Sequence, residues 1–230
     1  KLSGQTFDEK PAGSLLFEKM DDNGNIYAVR NIKTTESTLA LRYAPNEKFF
    51  QQKRKRHSMP SKKFIVNLSH TSSWKGFLDG QYDYNKISSS VRKDFWIAPY
   101  GKLITSVQFE KVWGQAPFPF LITPSANNSY TIQNGNFYMI EPLEFVHDIQ
   151  ASWEIYYHMG GWLFNRIPLL KGLKWREIVG FRGFYGELDK RNNPLYNKDV
   201  LLFPQRTYTT LNRTPYMEYN IGIENIFRLF

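Results

Sequence analysis

The side chains able to do chemistry are few and dispersed. Cysteine is absent, which removes disulfides and thiolate metal sites. The four histidines, His57, His70, His147 and His158, stand far apart in the chain. His158 shares a strand face with Glu154, but four residues of extended chain separate them by ~13 Å, too far to hold one metal unaided. No Gly-x-Ser-x-Gly, phosphate-cradling glycine loop or His-Glu-x-x-His occurs. The sequence therefore predicts no catalytic, cofactor-binding or metal-binding residue. The one polar pair with a defined expectation is Glu154 with Arg182. Both fall on polar faces of consecutive strands, and folding one onto the other about Pro168 sets them opposite. A slip of two residues would set Arg182 against Ser152 or Tyr156 instead. Gly180 and Gly183 near the arginine leave room for residues 117–147 to approach, whose Glu141 and Glu144 are competing partners.

Those residues are positioned by strands. Period-two alternation recurs along the chain. Residues 214–230 place Tyr216, Glu218, Asn220, Gly222 and Glu224 on one face and Met217, Tyr219, Ile221 and Ile223 on the other. Residues 148–159 place Gln150, Ser152, Glu154, Tyr156 and His158 against Trp153, Ile155, Tyr157 and Met159. Residues 175–185 place Arg176, Gly180 and Arg182 against Val179 and Phe181. Further alternating stretches lie at 37–43, 64–70, 82–97 and 102–113. The total is about seven strands of nine to fourteen residues, near the ~9–11 that a tilted membrane strand needs and longer than is usual in soluble sheets. Short and long connections broadly alternate, as in outer-membrane barrels.

Composition agrees with that class. Aromatic residues make up 17% of the 230-residue chain, yet the balance is polar, as in strands ending in aromatic girdles. No apolar run approaches the ~20 residues of a spanning helix. The formal charge of +9 suits anionic membrane surfaces, and no nucleic-acid motif accompanies it. The basic run Lys53-Arg54-Lys55-Arg56-His57 reads as a solvated turn, the alternative being an anion-binding patch. Residues 117–147 carry four prolines and many apolar side chains without sustained periodicity. A loop that long and apolar is expected to fold back, into or across a barrel mouth, the alternative being an ordered surface loop.

Several phrases resemble one family: Arg42-Tyr43-Ala44-Pro45, Val112-Trp113-Gly114 with Pro117-Phe118-Pro119-Phe120, Phe164-Asn165-Arg166-Ile167-Pro168, Phe181-Arg182-Gly183, and Pro215-Tyr216-Met217-Glu218. Together they look like the C-terminal barrel region of an uncharacterised Bacteroidota outer-membrane family, in which a carboxypeptidase-regulatory-like domain precedes a barrel. At longer range the region is similar to barrels that assemble or translocate outer-membrane proteins. The Val-Arg-Gly-Phe loop motif of that superfamily is missing from 117–147; an Arg-Gly-Phe stands instead at Arg182–Phe184.

The expectation is thus an all-β, antiparallel transmembrane β-barrel, its C-terminal portion. Residues 1–36 form a preceding hairpin or loop segment, and 37–230 form barrel strands with a long loop at 117–147. Trp153, Ile155, Tyr157, Val179, Phe181, Met217, Tyr219, Ile221 and Ile223 face lipid. Gln150, Glu154, His158, Arg176, Arg182, Glu218 and Asn220 face the lumen. The chain is expected in the bacterial outer membrane, without enzymatic activity or cofactor. Its partners would be membrane lipid and other outer-membrane or periplasmic proteins, not nucleic acid. It would act as a pore, translocation or assembly barrel, or as a structural or receptor barrel with a plugged lumen.

Overall fold

A computed structural model describes the chain except residues 10–16, 53–54, 59–63, 132, 134, 205–206, 208–210, 212–213 and 227–230. It is all-β apart from short helical turns. The strands are β1 (Leu2–Glu9), β2 (Glu18–Met20), β3 (Ile26–Ala28), β4 (Ile32–Tyr43), β5 (Phe49–Gln52), β6 (Lys55–Ser58), β7 (Ile65–Ser73), β8 (Tyr84–Ile97), β9 (Gly101–Gly114), β10 (Ile149–His158), β11 (Arg176–Glu187) and β12 (Tyr216–Glu224). Eight of them form one antiparallel sheet in the order β1-β4-β7-β8-β9-β10-β11-β12. Among the described residues no ladder joins β12 to β1, so the sheet keeps two edges.

The first residues differ from expectation. Leu2–Glu9 pairs with β4 along its whole length, so the segment before residue 37 contributes a full strand. β4 itself begins at Ile32, five residues before its alternation becomes visible at Ser37. Ile32, Thr34 and Thr35 at the start of β4 are buried although they point to both faces, and burial on both sides erases a period of two. The Asp21–Asn25 turn closes a small hairpin, with Asp21 N–H donating to Asn25 O (2.8 Å). The basic stretch after Tyr43 also contains a hairpin, β5 with β6; Lys53 and Arg54 lie outside the described residues. So do 227–230, the last residues of the expected final strand.

Because every sheet neighbour is antiparallel, the connections sort onto two ends. Segments 10–31, 74–83, 115–148 and 188–215 lie at one end, and 44–64, 98–100 and 159–175 at the other. The register carries one parity of side chains across all eight strands. One face presents Leu39, Leu41, Leu68, Val91, Val107, Phe109, Ile155, Val179, Met217 and Ile221. All of these are exposed, and no other described element covers them. The opposite face carries Ser, Thr, Asn, Gln and charged residues, and toward the long-connection end it is covered.

The cover is built from the long connections. Phe17, Phe118, Leu121, Ile122, Val146 and Leu201 pack with Ile32, Tyr84 and Val112 of the sheet in one buried cluster. Phe137, Ile140 and Phe145 pack on Phe184 of β11 in a second. Phe184 is fully buried, and four rings surround it: Phe137 at 5.0 Å, Tyr216 at 5.1 Å, Phe145 at 5.3 Å and His147 at 5.9 Å. Residues 117–147 hold their own shape through a two-residue ladder. Ile122 N–H donates to His147 O (2.9 Å), and His147 N–H returns to Ile122 O (2.8 Å). A long connection between neighbouring strands is thereby turned back over the polar face of the sheet, where Phe118, Ile122, Phe137, Ile140, Phe145 and Val146 escape water while Met139 stays exposed.

Candidate functional site

On the polar face three charged residues of β10, β11 and β12 stand in one row. Glu154 of β10 stands opposite Arg182 of β11, and Arg182 stands opposite Glu218 of β12. Arg182 is 3% exposed. Its Nη2 donates to Glu154 Oε1 (3.2 Å) and to the Tyr138 hydroxyl (3.1 Å). Its guanidinium carbon lies 4.4 Å from the Tyr138 ring centre and 5.2 Å from that of Tyr156. Ring faces carry negative potential, so they share the stabilisation of a cation that burial has stripped of water. Nη1 is buried with no hydrogen-bond partner, beside a cavity of about 190 Å³ lined by Ser106, Gln108, Ser152 and Glu154.

Glu218 does not pair with its neighbour. Its carboxylate turns to the covering segment and accepts from the backbone N–H groups of Tyr138 (3.0 Å) and Met139 (2.9 Å) and from the Tyr216 hydroxyl (3.0 Å). A buried carboxylate needs such donors, and consecutive amides supply them without a countercharge. Segment and wall are therefore joined twice within two residues, through the amides that Glu218 holds and the hydroxyl that Arg182 holds. Glu144 is not the competitor expected for Arg182, since its Oε2 accepts from the Glu141 N–H (2.8 Å).

Alternation also corrects the glycine expectation. Gly183 has odd parity and lies on the bare face, where a Cβ would meet the Trp153 ring at 2.7 Å. Gly180 makes room for Asn220 and Tyr156, whose Asn220 Nδ2 and Tyr156 hydroxyl lie 3.4 Å apart, rather than for the covering segment. The glycine that admits the segment is Gly186, over which the His147 ring sits.

His147 is fully buried. Its Nδ1 lies 3.0 Å from Gln150 Oε1, and its Nε2 is buried without a hydrogen-bond partner. Burial holds the His147 pKa below its usual value, the Gln150 contact opposing this more weakly. At the end of the sheet Asn192 clamps two connections. It accepts from Ala116 N–H (3.1 Å) and donates to Gly114 O (3.2 Å). Asp148 Oδ2 accepts from Asp189 N–H (2.9 Å), and burial pushes the Asp148 pKa up.

The remaining expected residues are less connected. His158 Nδ1 lies 3.2 Å from Glu224 Oε1, two strands away, and not near Glu154. Arg176 shares parity with Arg182 but is exposed at the rim. Trp153, Ile155, Tyr157, Val179, Phe181, Met217, Tyr219, Ile221 and Ile223 all lie on the bare face, in a patch where the Phe181 and Tyr219 rings lie 5.0 Å apart, tilted by 30°. Tyr138, His147 and Gly186 carry no sequence signal that would have singled them out. The nearest is the placement of His147 three residues before Gln150. Among the described residues no His, Asp and Glu group could hold a metal.

Residues 18–193 match the C-terminal domain of a family of unknown function, DUF5686. The chain belongs to this family. The match agrees with the resemblance seen in the sequence in so far as both point to an uncharacterised family. No curated protein and no solved structure matches the chain.

Two outcomes follow. In a double-mutant cycle on Glu154→Gln and Arg182→Gln, read by denaturant unfolding, the losses should be non-additive by about 1 kcal/mol or more, because both charges share one sealed network. Additive losses would leave the pair without a structural role. The second outcome concerns pH. A folded-state pKa lowered by burial means that the unfolded chain binds the His147 proton more readily. Its contribution is therefore complete above the unfolded histidine value of about 6.5 and is lost as pH falls below it. Asp148, with its raised pKa, acts in the opposite sense lower in the carboxylate range. Proteolysis within 117–147 should accelerate as pH drops through 6, and His147→Gln should flatten that profile. An unchanged profile in the variant would remove His147 as the cause.

Proposed function

We propose that this chain forms the wall of an outer-membrane β-barrel without enzymatic activity, working as a pore, translocation or assembly barrel. In this reading its passage is closed at the long-connection end by residues 117–147. The observation that carries the reading is the division of the sheet into an uncovered face rich in exposed apolar side chains from β4 to β12 and an opposite polar face. A soluble sheet would bury its apolar face and wet its polar one. Here the order is reversed, which suits lipid outside and a lumen inside.

A second reading has its own support. Phe118, Phe137, Ile140 and Phe145 of the covering segment are all buried, as in a permanent plug, and this favours a structural or receptor-like barrel. The attachment through Glu218 distinguishes the two. A segment held chiefly by one carboxylate can be released, whereas one held by its apolar packing stays.

Membrane placement is tested by Ile221→Arg, at a mid-strand position that is 85% exposed. An arginine in lipid there should cost about 2–4 kcal/mol and lower outer-membrane yield, and normal yield would exclude a lipid-facing β12. Gating is tested in a planar bilayer. Glu218→Gln should raise channel opening well above that of the unsubstituted chain, toward the level reached by deleting 117–147. Conductance that appears only after deletion supports the permanent plug. No conductance in either variant excludes a pore.

A further inference from the structure

The formal charge of +9 is not spread over the molecule. The three connections at the short-turn end, 44–64, 98–100 and 159–175, contain ten Lys or Arg against one Glu. The four connections at the other end contain nine against ten Asp or Glu. In sequence, the first set of connections thus carries the whole excess. Within it, 159–175 has a definite surface. A 3₁₀ turn (Phe164–Arg166) leads into a single helical turn (Pro168–Lys171). Trp162, Leu163, Ile167, Leu169 and Leu173 are all exposed, Leu169 to 89%.

Arg166, Lys171 and Lys174 are exposed among those apolar side chains, and no acidic residue lies in the segment. The Arg166 guanidinium carbon sits 4.3 Å from the Trp162 ring centre, which packs edge-on against Tyr100. None of the three cations has a salt-bridge partner among the described residues. The nearest carboxylate in the chain, Glu177, is buried under the turn and accepts from the Phe164 N–H. It anchors the segment and leaves the outer cations unpaired. The segment begins one residue after β10, whose Ile155 and Tyr157 lie on the bare face, so the apolar surface of the wall continues into it.

We propose that residues 159–175 form a docking surface for anionic phospholipid headgroups, seating the short-turn rim in the interface of the leaflet that it meets. Exposed Trp and Leu side chains mixed with unpaired cations are the chemistry of an interfacial anchor, whose strength follows apolar burial and lipid charge together. A soluble polyanion would neutralise the cations but would leave Trp162, Leu169 and Leu173 in water. The inference rests on the membrane-barrel reading, because only a wall embedded in lipid brings this rim to headgroup depth.

The test uses the natural absence of cysteine. Leu169→Cys is labelled with a polarity-sensitive dye, and the full chain is folded into phosphatidylcholine vesicles containing increasing phosphatidylglycerol. Folding is monitored separately by heat-modifiability. Dye emission should shift to the blue as phosphatidylglycerol rises, and added NaCl should reverse the shift. A label at Leu195→Cys, at the opposite end, should not respond. The combined substitution Arg166→Gln, Lys171→Gln and Lys174→Gln should weaken the phosphatidylglycerol dependence by about tenfold. If that variant folds poorly, the NaCl titration on the labelled chain alone decides.

A folded barrel whose emission ignores phosphatidylglycerol overturns the inference and leaves the barrel reading intact. Failure to fold in any vesicle overturns both. Emission that shifts with soluble heparin but not with phosphatidylglycerol overturns it in favour of a soluble acidic partner.

Discussion

The structure depends on how a charged face tolerates being sealed. Arg182 and Glu218 lie side by side on a wall that the 117–147 segment closes off from water. Charges in such a place need donors and acceptors, or the cover lifts. The arginine is met by Glu154, the Tyr138 hydroxyl and two ring faces, and the carboxylate by two backbone amides and a hydroxyl. Most of the other features serve this arrangement. Gly186 opens the gap that the His147 ring fills, Phe184 fills the floor between the rings, and Asn192 ties the ends of the two longest connections together.

The sheet and the segment stabilise one another by different means. Strand pairing runs between sequence neighbours and needs nothing from the cover. The cover has little regular structure, and its few backbone bonds fix shape more than position. Its position comes from the two aromatic clusters and from the charged row. The clusters are insensitive to salt and modestly sensitive to temperature, whereas the row responds to protonation and to loss of a single group. A segment attached in both ways can be held firmly and still be addressed by a local chemical change.

Much of the wall was legible in the sequence, because alternation is a direct record of two unlike faces. β10 and β11 lie within two residues of where their patterns placed them, β12 starts within two but ends at Glu224, and Glu154 and Arg182 meet in register. β1 was not legible. Its apolar residues are few, and Leu2–Glu9 becomes a strand only by pairing with β4. The site was legible on its strand side alone. Glu218 and Arg182 stand out as polar residues on a patterned strand, but their partners on the covering segment are a hydroxyl and two peptide groups. Peptide groups carry no side-chain signature, and a tyrosine among other aromatics reads as packing. The same limit explains the misplaced glycines. Sequence distance pointed to Gly183, whereas parity decides which face a glycine opens, and only Gly186 has both the parity and the height to receive His147.

The clusters under the cover draw Phe17, Phe118 and Leu201 from three separate connections. The strands can zip hairpin by hairpin through contacts near in sequence, each closing a short loop. The clusters cannot begin in that way. They need connections far apart in sequence in the same place, and the paired sheet is what brings those connections to one end. Covering the polar face is in this sense a long-range step, whereas pairing its strands is a local one.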